Sequence, residues 1–418
     1  MSKPGEQAFT WDNDIYSDSS GFRVAEEKTE VAKDDKTTKD DYEDYIYKTP
    51  KRKRKKSSLH RSSHHSHRKS HRKKHRNHKK HKMKTWKKVL LSVLCVFLGL
   101  TIIAAGLTAF MILRGQEELF TDDVQITQPD GVDALVQDSG QYIVYNGVTY
   151  KYNDKVTSLL FMGVDKKMDE KNTEGTGGQA DVIVLMAMDI KNRKLTMMNI
   201  PRDTMTDVAI YSAGGYYTGM QRQQICLSYA YGDGKEKSCT NTVASVKRVF
   251  YNIPVNTYYS LDLAGLVTLN DAIGGVDVVS PETIEKFKQG ESYHLMGNDA
   301  DRFIEARVHD TAAANDLRMK RQQVYTKSFI SKTMTEVKSD PSVALTLYNE
   351  SAPFSCTNIT PAKVTYLAQD IAVHGSMKTD IINVAGKTTL NEKTQEAEFN
   401  INEKEFYEQF LSVFYEKV

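Results

Sequence analysis

Residues 89–113, VLLSVLCVFLGLTIIAAGLTAFMIL, run for 25 positions without a charged side chain. That exceeds the roughly 20 apolar residues needed to span a bilayer core and the roughly 7–15 of a secretory h-region. A soluble core helix rarely stays uncharged for so long, because one face usually meets water. The run therefore predicts a transmembrane helix, and it divides the chain into parts that lie on opposite sides of a membrane.

The flanks set the direction. Lys84, Lys87 and Lys88 precede the run, with Trp86 as an interfacial anchor, and Arg114, Glu117 and Glu118 follow it. The positive-inside rule leaves the N-terminus in the cytoplasm and exports the remainder. No small-residue cleavage site is apparent, so the expectation is an uncleaved signal anchor of a single-pass type II protein. Over the whole chain 57 Lys and Arg nearly balance 54 Asp and Glu, but residues 51–88 alone carry 19 of the basic side chains, eight His and no acid. A cationic block beside a membrane span favours anionic lipid headgroups, at about 1 kcal/mol per basic residue near the surface. Specific nucleic-acid binding needs a basic face, whereas residues 89–418 hold 31 basic against 41 acidic side chains, so no specific nucleic acid is expected. The histidines are too irregular and too mixed with cations for a metal site.

Residues 1–50 are polar, with few aliphatic side chains, and bury too little to fold alone. The expected organisation is a disordered cytoplasmic tail (1–50), a basic juxtamembrane segment (51–88), the span (89–113), an extracellular tether (114–140) and one extracellular domain (141–418). Of the four cysteines, Cys95 lies in the span and the other three lie beyond it, where disulfides persist. Cys226 and Cys239 bracket a short Gly-containing stretch and are expected to pair, which would stabilise the loop by roughly 3 kcal/mol. Cys356 is left over and reads as a buried free thiol.

Within the exported part, Tyr142, Val144, Val148 and Tyr150 flank Asn146-Gly147, a hairpin signal. VTSLLFMGVD, DVIVLMAMDI and LTMMNI are apolar enough for central strands covered on both faces. TNTVASVKRVFYNI repeats apolar residues at helical spacing, and SLDLAGLVTLNDAIGGVDVV reads as a helix stopped at Gly274-Gly275 before a strand. NDADRFIEAR is expected to be capped by Asn298 or Asp299. NDLRMKRQQVYTKSFISKTMTEV is a long helix. Strands interspersed with helices give an α/β domain with a mixed central sheet flanked by helices.

Charged groups gather at the ends of these elements. Asp165 ends one strand, Asp181 starts the next, and Arg202-Asp203 follow a third through Pro201. Arg307 closes a helix, and Arg318, Arg321 and Gln322 share a face of the long one. Arginines three apart repel in an isolated helix and make sense against an anion, since guanidinium groups grip phosphate bidentately. Two carboxylates at adjacent strand ends suit Mg²⁺, which takes one or two carboxylates plus phosphate oxygens.

The segments FMGVDKK, ADVIVLMAMDIKNRKLTMMNIPRDT, SYAYGDG, DAIGGVDVV and NDLRMKRQQ, in this order, resemble the LytR-CpsA-Psr family over roughly residues 155–335. The resemblance implies an extracellular ligase that moves a glycopolymer (teichoic acid or capsular polysaccharide) from an undecaprenyl-pyrophosphate carrier to peptidoglycan. It implies Mg²⁺ on Asp165 and Asp181, and an arginine-lined pyrophosphate site above an apolar lipid groove. Arg202 and Asp203 match the family's Pro-Arg-Asp motif, Arg307 the second Arg of an Arg-x-Arg pair, and Arg318, Arg321 and Gln322 its helix motif. Three positions depart from the pattern: Gln179 and Glu305 stand where the family usually has Arg, and Asn315 where it has Asp. Lys167 and Arg302 are expected to restore part of the lost positive charge, with Arg302 alternatively pairing with Glu305. The expected catalytic set is Arg202, Asp203, Arg307 and Arg318, with Asp203 or Asp316 as the base. The departures keep a second expectation open, a non-catalytic polyprenyl-phosphate-binding regulator of the envelope.

Overall fold

The computed structural model describes residues 85–120, 124–165, 178–212, 214–306 and 312–418. The expected tail, residues 51–84 of the expected basic segment, Lys167 and Arg307 lie outside them.

A six-stranded mixed sheet forms the centre, in the order Ser355–Thr357, Thr257–Asp262, Val156–Val164, Ala180–Asp189, Lys194–Ile200 and Lys378–Asn383. Val156–Val164 runs antiparallel to Ala180–Asp189 and parallel to Thr257–Asp262. Lys194–Ile200 is antiparallel to Ala180–Asp189 and parallel to Lys378–Asn383. The three apolar segments that lacked polar alternation are these inner strands, and both their faces are covered. Leu160, Met162, Ile183, Leu185, Met198 and Ile200 pack in one core with Val246, Phe250, Phe406 and Phe410. Val184, Leu195 and Met197 point the other way and meet Met334 and Met377, with Phe161, Val182, Met186 and Ile330 half-buried around them. Strand geometry requires this split, because successive side chains alternate between faces.

The Asn146-Gly147 turn forms as expected. Both residues have positive φ (52° and 75°), and the turn joins Tyr142–Tyr145 to Val148–Tyr152. These strands belong to a small four-stranded sheet completed by Ala134–Gln137 and Tyr415–Lys417.

A second lobe is inserted between Thr257–Asp262 and Ser355–Thr357. It contains the helix Leu263–Ala272, the paired strands Val276–Val279 and Ser292–Leu295, and the helix Asn298–Glu305. The first half of the long helix Ala312–Ser339 closes the lobe core around Phe287, Phe303 and Tyr325. Leu263–Ala272 is capped by Asp262, whose Oδ1 accepts from the Gly265 amide at 2.8 Å. Asn298–Glu305 is capped by neither Asn298 nor Asp299. Gly297 takes the cap position with φ 53°, and the Asp299 carboxylate pairs with Lys286 instead.

The apolar run lies within one helix, Thr85–Leu119. Trp86–Leu119 has the length and composition of a membrane span, with a mean hydropathy of 2.6 over its most apolar 18 residues. The expected tether is corrected at both ends. The helix continues six residues past the apolar run, and its end docks on the helix Pro361–His374. Glu118 accepts from the Thr360 hydroxyl at 2.6 Å, the Thr157 hydroxyl donates to the Leu119 carbonyl at 2.7 Å, and Phe120 meets Tyr366 edge to face. Gly115 makes the approach possible, since a Cβ there would stand 2.1 Å from the Ala362 carbonyl oxygen. Val124 and Ile126 then enter the main core. The buried side chains of Leu119, Val124 and Ile126 pack this stretch against the domain.

Candidate functional site

The site is built where three strands of the central sheet end. Pro201 has no N–H to offer the ladder, so Lys194–Ile200 stops there and the chain turns. The Thr204 amide and hydroxyl both donate to the Pro201 carbonyl, at 3.0 and 2.6 Å. Backbone bonds from either side pin the next two residues: the Cys226 amide donates to the Arg202 carbonyl at 3.1 Å, and the Phe399 amide to the Asp203 carbonyl at 2.8 Å. Arg202 and Asp203 therefore sit on a rigid rim.

Asp181 reaches Arg202 through a break in the sheet. Pairing steps from Gly163↔Val182 to Val164↔Ala180, so Asp181 is the extra residue of a β-bulge. Bulges re-aim side chains beside functional sites, and here the Asp181 carboxylate accepts from the Arg202 guanidinium. The other arm of the fork donates to the Gln179 side-chain oxygen. Asp203 lies 3.7 Å from Arg202 Nε. Asp165 is on the neighbouring strand end, where its carboxylate accepts from the Gln179 amide at 3.0 Å.

Burial raises the Asp203 carboxyl above its ordinary range. Arg202 and Arg318 oppose the rise, and Asp181 and Glu396 add to it. Arg318 thus brings its charge to the rim from the long helix. Burial likewise pushes the Cys226 thiol up to about 11, against the pull of Arg202.

The structure gathers Asp165, Asp181, Arg202, Asp203 and Arg318, with Gln322 half-buried on the same helix as Arg318. It places two other expected residues elsewhere. Arg321 is 1% exposed inside the second lobe, where its guanidinium binds the Glu282 carboxylate and the Phe303 and Ala306 carbonyls. Three residues turn a helix by about 300°, which leaves Arg318 and Arg321 about 60° apart, and the packing of the second lobe takes Arg321 into its core. Arg302 is exposed and pairs with Glu285 at 2.9 Å rather than with Glu305 or the rim. The expected Cys226–Cys239 disulfide is also corrected, because the fold turns the two thiols toward different neighbours. The intervening loop is not a simple hairpin: Gly232 packs on Ser238 and Tyr229 donates to the Gly234 carbonyl at 2.9 Å. As a result Cys226 lies against Arg202 and Cys239 faces Cys356.

The bulge at Asp181 and the roles of Gln179 and Cys226 escaped sequence reasoning. A departure from an arginine pattern signalled position 179, but nothing local marks an unpaired strand residue. Among the described residues no group of three His, Cys, Asp or Glu side chains is arranged to hold a metal. Asp165 and Asp181 are two strand-end carboxylates linked through Gln179 and Arg202, and one or two carboxylates are what Mg²⁺ takes when its remaining ligands are phosphate oxygens and water.

Known proteins similar to this chain fall together. It is 32% identical over 173 residues to the polyisoprenyl-teichoic acid–peptidoglycan teichoic acid transferase TagU of Bacillus cereus strain ATCC 14579, which covers 40% of this chain and 49% of the relative. It is 29% identical over 167 residues to the corresponding transferase TagV of Bacillus subtilis strain 168, covering 37% and 38%. The chain thus matches about half the length of the first relative and less of the second. Its fold is similar to that of protein gbs0355 from Streptococcus agalactiae, with a TM-score of 0.50 at 18% identity over 62% of this chain and 86% of the other. The model of the LytR_cpsA_psr family matches residues 121–410, and the chain belongs to that family.

Proposed function

We propose that this protein is a membrane-anchored phosphotransferase that attaches a glycopolymer, of teichoic acid or capsular polysaccharide type, from an undecaprenyl-pyrophosphate carrier to peptidoglycan. The single observation that carries the reading is the bulge-aimed Asp181, which with Gln179 holds Arg202 at the sheet rim beside Asp203. The printed names of the TagU and TagV relatives, which are teichoic acid transferases, support it.

In this reading Arg202 and Arg318 grip the pyrophosphate and stabilise charge that grows on its oxygens in the transition state. Arg307 and Lys167 are proposed as further cations, and Gln322 as a donor that orients a phosphate oxygen. Arg302 and Arg321 are proposed to act through the second lobe rather than on the phosphates. Asp165 and Asp181 would hold Mg²⁺, which supplies Lewis-acid neutralisation of the pyrophosphate. Asp203, raised by burial, takes the proton of the peptidoglycan hydroxyl as that oxygen bonds to the sugar-proximal phosphorus. The phosphoanhydride bond breaks and undecaprenyl phosphate leaves. Phe161, Val182, Met186 and Ile330, half-buried on one sheet face, offer an apolar bed for the polyprenyl chain.

The helix Thr85–Leu119 anchors the domain, with the N-terminus proposed as cytoplasmic and residues 51–88 resting on anionic headgroups. The test is transfer by the full-length chain in detergent, with Mg²⁺, a lipid-linked glycopolymer and peptidoglycan. Transfer by the wild type with at least 100-fold less by Arg202→Ala is expected. Carrier binding without turnover would instead make the protein a non-catalytic polyprenyl-phosphate-binding regulator.

A further inference from the structure

Cys239 and Cys356 are 117 positions apart, yet they meet where the helix Glu236–Val249 packs on the edge strand Ser355–Thr357. Cys239 is fully buried and its thiol is aimed at the Cys356 carbonyl oxygen, 4.0 Å away. Cys356 is only half-buried. Ser260, the register partner of Cys356, forms another wall of the same niche and is fixed by the Tyr229 hydroxyl at 3.1 Å. The two sulfurs therefore share a rigid niche, and Cys226 is occupied elsewhere against Arg202.

The position is informative as well. The second lobe leaves the main body after Thr257–Asp262 and returns through Ser355–Thr357. A bond between residues 239 and 356 would tie the strand on which that insertion returns to a helix of the main body, and the insertion carries Arg318 on the long helix Ala312–Ser339.

We propose that Cys239 and Cys356 form a disulfide that staples the base of the second lobe once the domain reaches an oxidising exterior. This inference rests on the exported placement proposed above. The oxidant is a disulfide, either a small molecule or an oxidoreductase. Cys356 is the more exposed of the two and supplies the first thiolate. It attacks one sulfur of the oxidant, whose S–S bond breaks and releases a thiolate. Cys239 then gives up its proton and attacks Cys356 Sγ, displacing the second thiolate. Two protein thiols lose two protons and two electrons, and the oxidant becomes two thiols. Because the closed loop is long, the staple restricts the unfolded chain strongly.

The experiment uses the full-length chain, with thiols alkylated at cell lysis and peptides mapped without reduction. The expected result is a linked peptide pair holding Cys239 and Cys356, with Cys95 and Cys226 alkylated. Protease treatment of intact cells reports placement separately. A domain open to protease with Cys239 and Cys356 both alkylated overturns the disulfide and leaves the placement standing. A protected domain overturns the placement, and with it the bond in the cell. Purified reduced chain exposed to oxidised glutathione tests the geometry alone: a Cys239–Cys356 link supports it, while a Cys226–Cys239 link or none overturns it. Reductant should lower the wild-type Tm by about 5–10 °C and leave that of Cys356→Ala unchanged. Equal sensitivity of the two also overturns the proposal.

Discussion

Asp181 meets Arg202 because one strand carries an extra residue: the register step between Gly163↔Val182 and Val164↔Ala180 turns the Asp181 carboxylate toward the guanidinium at the end of the neighbouring strand. Gln179 holds the second arm of the same fork. A side chain fixed at both arms is pre-organised, so little of its freedom remains to be lost when it binds a doubly charged ligand.

This predicts that Arg202→Lys is not conservative. A lysine has no planar fork with which to hold Asp181 and Gln179 together. Transfer by Arg202→Lys should fall by about 100-fold or more, with the folded state intact by circular dichroism. Near-wild-type turnover would show that charge alone suffices.

Asp203→Asn should separate activity from stability. The raised carboxyl means that the folded protein binds the proton more tightly than the unfolded chain does. That contribution is complete below the ordinary carboxyl pKa of about 3.9 and is lost as pH rises through the higher folded value. Ionised Asp203 is therefore a cost at pH 7. The variant should melt about 1–3 °C higher than wild type at pH 7, and the gain should vanish near pH 3. Its transfer rate should drop by about 10²–10⁴-fold. Calorimetry across pH and the transfer assay check the two halves.

Arg321→Met should fail through folding. It strands Glu282, whose side chain is 11% exposed, as an unpaired buried carboxylate, at a cost of about 3–5 kcal/mol. Amide exchange in residues 282–306 should accelerate most. Adding Glu282→Met should recover most of the lost stability, which a phosphate-binding role for Arg321 does not require.

Gly115→Leu should undock the end of the helix Thr85–Leu119. The new side chain would have to occupy space held by the Ala362 carbonyl and Tyr366. Amide exchange in Pro361–His374 and at Leu119 and Phe120 should rise, with the central sheet unchanged. Unaltered exchange would mean that the contact gives way at no cost.

The long apolar helix, the three inner strands, the Asn146-Gly147 turn, the mixed sheet and the residues at its rim were legible in the amino-acid sequence. Each has a local cause: uncharged length, unbroken apolar runs, a dipeptide that tolerates positive φ, and a proline that ends a strand. Partner choice had no such cause. The sequence placed Arg318 and Arg321 on one helix face, but only packing sent one to the rim and the other to Glu282 in the lobe core. It put Cys226 and Cys239 close together in the chain, but the fold brought Cys239 to a strand more than a hundred residues away. The physical reason is range: propensity and periodicity act over a few residues, whereas buried side chains take the neighbours that best offset their desolvation, wherever the chain supplies them.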